Sequence, residues 1–156
     1  MKLAFIMAWA LMGLAQPASE QAPPDQVISF SASDSAMSAA EDKGRATLPE
    51  FFARYSSPAA DETEFMVKYD VDPTEGFEFV WASLLSRSGS TVQGILINQP
   101  VKTKDKLGDK VAIQEADIVD WGYRKAGVMQ GSFTTRVMLD QMPSDEADQY
   151  RDFLGW

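Results

Sequence analysis

Two residue types are missing from the sequence, and their absence narrows the chemistry available to the protein. The 156 residues include no histidine and no cysteine. The chain therefore cannot form a disulfide, a catalytic thiol, a Ser-His-Asp triad, a haem ligand or the usual zinc sites, and no imidazole titrates near neutral pH. What remains is chemistry based on carboxylate, Lys, Tyr or Ser side chains. We expect no metal and no cofactor, and we favour a protein without catalytic activity.

Basic residues are also scarce. The chain has 14 Lys and Arg residues against 23 Asp and Glu residues, which gives a formal net charge of −9. The lysines of residues 102–110 are interleaved with aspartates, so they form no basic patch. A surface of this sign repels phosphate backbones, and the sequence predicts no nucleic-acid partner. With 45% hydrophobic residues, the chain is large enough for one domain with its own core.

The hydrophobic run at the N-terminus is too short to cross a membrane. Residues 3–15, LAFIMAWALMGLA, follow Lys2 and precede a polar, proline-containing stretch. A basic start, an apolar segment and small residues near its end are typical of a secretory signal peptide. A spanning helix needs about 20 apolar residues, so we expect no membrane-spanning segment once the signal is removed. We predict a signal peptide over residues 1–15, with cleavage after Ala18 as the alternative, and a periplasmic or secreted protein.

The rest of the chain is predicted to form a flexible leader over residues 16–32 and a single domain over residues 33–156. The domain is predicted to begin with a helix, or a helix pair, over residues 34–55, broken or kinked between Gly44 and Thr47. Hydroxyl residues three positions before a glutamate occur twice here, at Ser38–Glu41 and Thr47–Glu50. This is the spacing of a capping box at the start of a helix.

After the helix the apolar residues alternate with polar ones, which is typical of short strands separated by turns. The predicted strands are residues 65–71, 77–85, 91–98, 110–114 and 131–139. Residues 72–76 are predicted to turn between the first two, and the acidic segment 145–153 to form a short helix or a frayed tail. The sequence thus predicts an α+β domain. Its N-terminal helix or helix pair is followed by a curved antiparallel sheet of about five short strands, or a small, partly open barrel.

Seven segments in this order carry a family resemblance. They are residues 45–51 (RATLPEF), 65–68 (FMVK), Trp81, 94–100 (GILINQP), 107–111 (LGDKV), 118–123 (IVDWGY) and 131–136 (GSFTTR). The chain resembles the bacterial domain-of-unknown-function family numbered 2314 over about residues 36–139. The resemblance implies no catalytic residues, because the family has no established activity.

The most distinctive segment places Asp120 beside two large aromatic residues, Trp121 and Tyr123, with a glycine between the rings. If these rings face outward, they form a rigid contact surface of the kind that anchors a partner protein or stacks on a sugar. Trp81 would add to this surface. Arg136 would either contact an anion or pair with an acid such as Asp120. The alternative is that Trp121 fills the core and Asp120 caps a turn.

These observations predict an exported, non-enzymatic binding domain whose partner is an envelope protein or a glycan. One alternative is a carboxylate-dependent hydrolase acting on envelope polysaccharide or peptide, which would need two acids in one cleft. Its candidate acids are Asp70, Asp109, Asp117 and Asp120. Another alternative is an acidic immunity-type protein that masks a basic toxin.

Overall fold

The computed structural model describes residues 34–72 and 78–156 with their side chains, and residues 2–7 and 26–31 as backbone. The remainder of the predicted signal peptide, most of the leader and most of the predicted turn at residues 72–76 lie outside this part of the chain. The strands are β1 (Lys2–Met7), β2 (Gln26–Ser31), β3 (Glu62–Asp70), β4 (Glu78–Ser88), β5 (Thr91–Leu96), β6 (Lys110–Gln114), β7 (Ile118–Lys125) and β8 (Val128–Gly131). The helices are α1 (Ser35–Ser56), α2 (Phe133–Asp140) and α3 (Ser144–Leu154), and residues Glu115–Asp117 form a short 3-10 helix.

All eight described strands belong to one sheet. Its main order is β2-β1-β4-β3-β7-β8, and β5 pairs with the second half of β4 and then with β6. The six strands that follow α1 pair antiparallel, whereas β1 pairs with β4 in parallel. The described strands do not close into a barrel. The predicted α+β class is confirmed, with six strands after the helix rather than about five.

Helix α1 is one continuous helix of 22 residues, so the predicted break between Gly44 and Thr47 is wrong. Its N-cap is Asp34, whose carboxylate accepts hydrogen bonds from the backbone N–H groups of Ala36 and Met37. Gly44 is needed for packing, because a Cβ atom there would lie 2.2 Å from the carbonyl oxygen of Val119 in β7. A glycine that permits close approach of two backbones resembles a helix breaker when only the sequence is known.

Most of β3 and β7 and the first half of β4 are buried on both faces of the sheet. On the aromatic face, rings from α1, β3 and β7 pack together, as do alternate residues of β4. On the opposite face, which we call the polar face, α2 and α3 cover a core that includes Phe79, Trp81 and Met138. Helix α1 contributes to both, with Met37 on the polar face and Phe51 and Phe52 on the aromatic face.

The C-terminal third of the chain differs most from prediction. Residues 131–139 were predicted as a strand from the alternation of Phe133, Thr135, Val137 and Leu139, but residues 133–140 form α2. Gly131 and Ser132 have φ angles of 71° and 50°, which end β8 before the helix begins. The hairpin of β7 and β8 was not predicted. The C-terminal acidic segment does form a helix, α3.

No helix within the described residues is both long enough and apolar enough to cross a membrane.

Candidate functional site

Three large side chains meet on the polar face of the sheet. Lys68 in β3 lies directly opposite Trp81 in β4 and directly opposite Asp120 in β7. Directly opposed residues of neighbouring strands project to the same face, so the three side chains adjoin. Each has 0% of its surface exposed. We call Lys68, Trp81, Asp120, Thr134 and Met138 the Lys68 cluster.

A directed chain of hydrogen bonds connects the charged groups of the cluster. Lys68 Nζ donates to Thr134 Oγ1 at 3.1 Å, and this hydroxyl donates to Asp120 Oδ2 at 2.7 Å. Lys68 Nζ also lies 3.7 Å from Met138 Sδ and 5.6 Å from the centroid of a Trp81 ring. The ammonium group is thus held by α2 above the centre of the sheet.

Asp120 caps helix α2 from a different element. Its Oδ2 atom accepts the backbone N–H of Thr134 at 2.8 Å, and its Oδ1 atom accepts the N–H of Trp121 at 2.8 Å. Ser132, the residue at the N-cap position, makes no capping bond with its side chain. A carboxylate at a helix N-terminus satisfies orphan N–H groups and interacts favourably with the helix dipole. Asp120 therefore fixes α2 against β7.

Burial shifts the titration of both charged groups. Desolvation lowers the pKa of Lys68 to about 8, against the opposing effect of the negative charges of Asp120 and Glu41. Desolvation likewise raises the pKa of Asp120, although Thr134, Lys68 and the N–H of Trp121 favour its charged form. Burial thus brings the charged and neutral forms of each group closer in free energy than they are in water.

Trp121 and Tyr123 do not face outward as the contact-surface hypothesis requires. They are 9% and 7% exposed and lie in the aromatic core. The Trp121 ring stacks on Phe51 at 5.2 Å, and Tyr123 stacks on Phe65 at 5.1 Å. The Trp121 indole N–H donates to Thr47 Oγ1 at 3.0 Å. The alternative interpretation, in which Trp121 fills the core and Asp120 acts as a cap, matches the structure, but Asp120 caps a helix rather than a turn.

Trp81 and Arg136 are also placed differently from the predicted surface. Trp81 is fully buried beneath Lys68, and its backbone N–H donates to Asn98 Oδ1 at 2.7 Å. Arg136 is exposed, and its guanidinium lies 3.7 Å from the centroid of a Trp156 ring rather than against Asp120. The five predicted contact residues thus belong to the interior or to an intramolecular stack, and they do not form one exposed surface.

The candidate acids of a hydrolase are not collected in one cleft. Asp120 is sealed, and Asp70 is buried with its Oδ1 atom accepting the N–H groups of Asp72 and Glu78. Asp109 is exposed in the loop before β6, and Asp117 lies in the 3-10 helix. Within the residues that the structure describes, no group of three or more acids is arranged to hold a metal ion.

An open groove of about 550 Å³ runs along the outer side of α1. Its helical wall is formed by one stripe of α1, and its other wall by the end of β4 and the 3-10 helix. The lining residues are Arg45, Leu48, Pro49, Phe52, Ala53, Ser56, Arg87, Glu115 and Ala116. The floor of the groove is apolar, and a guanidinium group lies on each wall.

The two arginines of the groove each contact neighbouring side chains, and both remain partly exposed to solvent. The Arg87 guanidinium lies 4.3 Å from the centroid of the Phe52 ring and forms a salt bridge with Glu115. Arg45 pairs with Glu41 at 3.2 Å. The side chains of Arg45 and Arg87 are 44% and 39% exposed. Since a guanidinium group has five N–H donors, both arginines retain donors for a ligand.

Neither Lys68 nor the groove was identified from the sequence. In the first predicted strand, Lys68 alternates with the apolar residues Val67 and Tyr69, and this pattern predicts a solvent-exposed lysine. The one sequence feature that could have indicated burial of Lys68 is its apolar neighbours, Phe65-Met66-Val67 before it and Tyr69 after it. The groove depends on the distance between α1 and residues more than 30 positions later, which periodicity does not reveal.

The protein is thus an α+β domain whose open sheet carries a buried lysine and a buried aspartate, joined through the Thr134 hydroxyl, beneath two C-terminal helices. The chain belongs to the family described as "Uncharacterized protein conserved in bacteria (DUF2314)", whose model matches residues 34–156. The resemblance inferred from the seven segments is thereby confirmed.

A relative is found in Escherichia coli (strain K12). The "Uncharacterized protein YegJ" of this organism is 27% identical over 128 residues, which cover 81% of this chain and 82% of the relative. No solved structure matches the chain.

Proposed function

We propose that the chain is exported after removal of its signal peptide, which takes strand β1 out of the sheet, and acts as a non-enzymatic binding domain. The observation that carries this proposal is the groove along α1, an open concavity with an apolar floor between two partly exposed arginines. Binding sites commonly combine an apolar lining with a few polar groups that fix orientation. The groove therefore replaces the Asp120–Tyr123 segment as the proposed contact surface.

The chemistry of the groove favours one kind of ligand. Phe52 and Leu48 supply the apolar floor, while Arg45 and Arg87 supply donors suited to carboxylates, which guanidinium groups bind in a bidentate manner. Both arginines are also paired with acids of this chain, Arg45 with Glu41 and Asp42 and Arg87 with Glu115, so a ligand carboxylate would bind through the N–H donors that these pairs leave. The proposed partner is an envelope protein that presents a carboxylate next to an apolar side chain.

The described geometry gives less support to a carboxylate-dependent hydrolase. Glu115 is the one acid lining the groove, and it is engaged by Arg87. Asp120, whose pKa is raised by burial, lies inside the Lys68 cluster with no exposed surface. Glycoside hydrolysis needs two acids on either side of a substrate that can reach both. The binding hypothesis requires no such pair.

Export is tested by determining the N-terminus of the protein made in bacterial cells. The expected result is a mature protein in the envelope or periplasmic fraction that begins at Gln16, or at Ser19 if cleavage follows Ala18. A protein that keeps residues 1–15 and remains in the cytoplasm would contradict this part of the proposal.

Binding is tested by placing a photo-crosslinking residue at Ala53, which lines the groove, and at Gln149 on α3 as the matched exposed control. The expected result is a discrete adduct with an envelope protein from Ala53 and none from Gln149. Arg87→Gln, which removes the guanidinium at an exposed position, should abolish the Ala53 adduct. Equal adducts from both positions, or an adduct that persists in Arg87→Gln, would contradict the groove as the contact surface.

A further inference from the structure

We propose that strand β2 moves into the place of β1 and pairs with β4 once the signal peptide has been removed. The inference rests on the cleavage that the proposed function includes. In the described chain β1 lies between the other two strands, antiparallel to β2 and parallel to β4. Cleavage after Ala15 or Ala18 removes β1, whereas β2 stays joined to α1. Two sheet edges then face the gap that β1 leaves.

The opening in the edge of β4 is short and centred on Phe79. The backbone N–H and C=O of Glu78 form their hydrogen bonds on the side of β3. Those of Trp81 form theirs on the opposite side, with Asn98 and Ile97, and close that part of the edge. Backbone groups of a strand alternate between its two edges, so the N–H and C=O of Phe79 point toward β1.

The register of β1 with its two neighbours brings Ile28 to this opening. Phe5 lies directly opposite Phe79 in β4 and directly opposite Ile28 in β2. In a parallel pair, the residue opposite one whose backbone groups point inward has its own groups pointing away, so those of Phe5 point toward β2. Ile28 therefore exchanges hydrogen bonds with Phe5, and its N–H and C=O point toward β1 and β4. A straight shift of β2 makes these groups face those of Phe79.

The shift is small enough for the connection between β2 and α1. Neighbouring strands lie about 4.8 Å apart, so β2 moves by about this distance to take the place of β1. Residues 32 and 33 join β2 to Asp34, the N-cap of α1, and two extended residues span about 7 Å. A short tether also gives β2 an effective concentration in the millimolar range, which favours it over a strand from another molecule.

Strand β2 is well suited to the position. Because β2 runs opposite to β1, it pairs with β4 in the antiparallel direction, which is slightly more stable per residue than the parallel pairing of β1. Its sequence, QVISFS, contains the β-branched residues Val27 and Ile28 and the aromatic residue Phe30, which favour strands. The replacement also covers an edge of β4 that would otherwise be open to another chain. Strand β1 thus holds the position that β2 takes after cleavage.

The experiment is nuclear magnetic resonance on the isotope-labelled full chain, with a protease recognition sequence inserted after Ala15. After cleavage and separation of the released peptide, we expect nuclear Overhauser effects between the amide protons of Ile28 and Phe79. We also expect them between the Hα protons of Ser29 and Glu78. Absence of contacts between β2 and β4 in the cleaved protein would overturn the proposal. Contacts found only between differently labelled copies would also overturn it, since the added strand would then come from a second copy.

Two proline variants form a matched pair. Ile28→Pro removes the N–H that faces Phe79, whereas Ser29→Pro removes one that points away from β4. In the cleaved protein, the amide hydrogen of Phe79 should exchange about tenfold faster in Ile28→Pro than in wild type, because its hydrogen bonds with β2 are lost. Ser29→Pro should leave this rate unchanged, since proline is tolerated where the N–H of an edge strand faces solvent. Equal exchange rates in the two variants would contradict the pairing.

The result is separate from the test of export, because the chain is cleaved after purification. Retention of residues 1–15 in cells would contradict export and would leave the contacts measured in the cleaved protein unaffected. Correct processing in cells, combined with no contact between Ile28 and Phe79, would overturn the strand replacement alone. The groove along α1 involves different residues and is not affected by either outcome.

Discussion

The two faces of the sheet hold their helices by different means. On the aromatic face, the contact between α1 and β7 is a stack of rings, with Phe51 on Trp121 at 5.2 Å. On the polar face, the contact between α2 and β7 depends on one carboxylate, Asp120, and on the hydroxyl and N–H of Thr134. Ring packing tolerates small displacements, whereas a buried charge is costly unless every hydrogen bond is made. Single substitutions on the polar face should therefore reduce the free energy of unfolding most.

The largest loss is expected for Asp120→Ala. The change removes the cap of α2 and leaves Lys68 buried without its neighbouring negative charge, and breaking a buried charge pair in this way costs about 3–5 kcal/mol. Urea unfolding followed by circular dichroism measures the free energy of unfolding. Asp152→Ala, at an exposed position of α3, is the control and should change it by less than about 0.5 kcal/mol. Similar values for the two variants would show that the polar face does not depend on its carboxylate.

Gly44→Ala tests the close approach of α1 to β7, between the part of the helix that packs on the polar face and the part that packs on the aromatic face. The new Cβ would meet the carbonyl oxygen of Val119 at 2.2 Å, and backbone cannot move aside cheaply, so we expect a loss of about 3 kcal/mol. Gly89→Ala is a useful comparison, since its φ is 58° but no atom lies within 4 Å of the new Cβ. That variant should lose only about 1 kcal/mol from backbone strain. An equal loss at both positions would contradict the close helix–strand crossing.

A smaller loss is expected for Thr47→Val on the aromatic face. The substitution conserves shape but removes the acceptor of the Trp121 indole N–H, and a hydrogen bond of this kind contributes about 1 kcal/mol. Trp121 should remain packed, so its near-ultraviolet circular dichroism should keep its sign while the midpoint of urea unfolding falls. Loss of the near-ultraviolet signal would instead indicate that the ring depends on this bond for its position.

The smallest effect is expected from Asp70→Asn, and it depends on pH. Burial raises the pKa of Asp70 in the folded protein, so ionisation costs the native state stability as pH rises through 3.8 and beyond. Below that range both states are protonated and the cost is absent. The asparagine variant should therefore gain stability relative to wild type between pH 3.5 and pH 7, as measured by thermal unfolding at each pH. A relative stability that does not change with pH would show that Asp70 is not desolvated as described.

Features set by local sequence were predicted best. The bounds of β6 were predicted at residues 110–114, and the extent of α1 was predicted to within a residue at each end. The two capping-box spacings, however, lie inside α1, where the Ser38 and Thr47 hydroxyls donate to backbone carbonyls instead of capping a helix. Residues 131–139 alternate in polarity, so they read as a strand. They form a helix because Asp120, eleven or more positions earlier, supplies its N-terminal cap.

The candidate site was harder to predict, because it too depends on contacts between residues that are far apart in the chain. Asp120 and Trp121 were singled out as an unusual pair, but adjacent residues of a strand project to opposite faces. Only the structure shows that both faces of β7 are covered, so that neither residue is exposed. Lys68 escaped notice because a lysine in an alternating segment ordinarily faces solvent, and its burial requires α2.

The passage of α1 across the edge of β7 at Gly44 has a consequence for how the molecule opens. The same continuous helix packs against both hydrophobic cores. If α1 separates from one core, buried residues of the other core are therefore exposed as well. Unfolding of the two cores should therefore be a single cooperative event. Slowly exchanging amide hydrogens of β3 and β4, whichever face their side chains occupy, should then share one exchange free energy, equal to that of global unfolding.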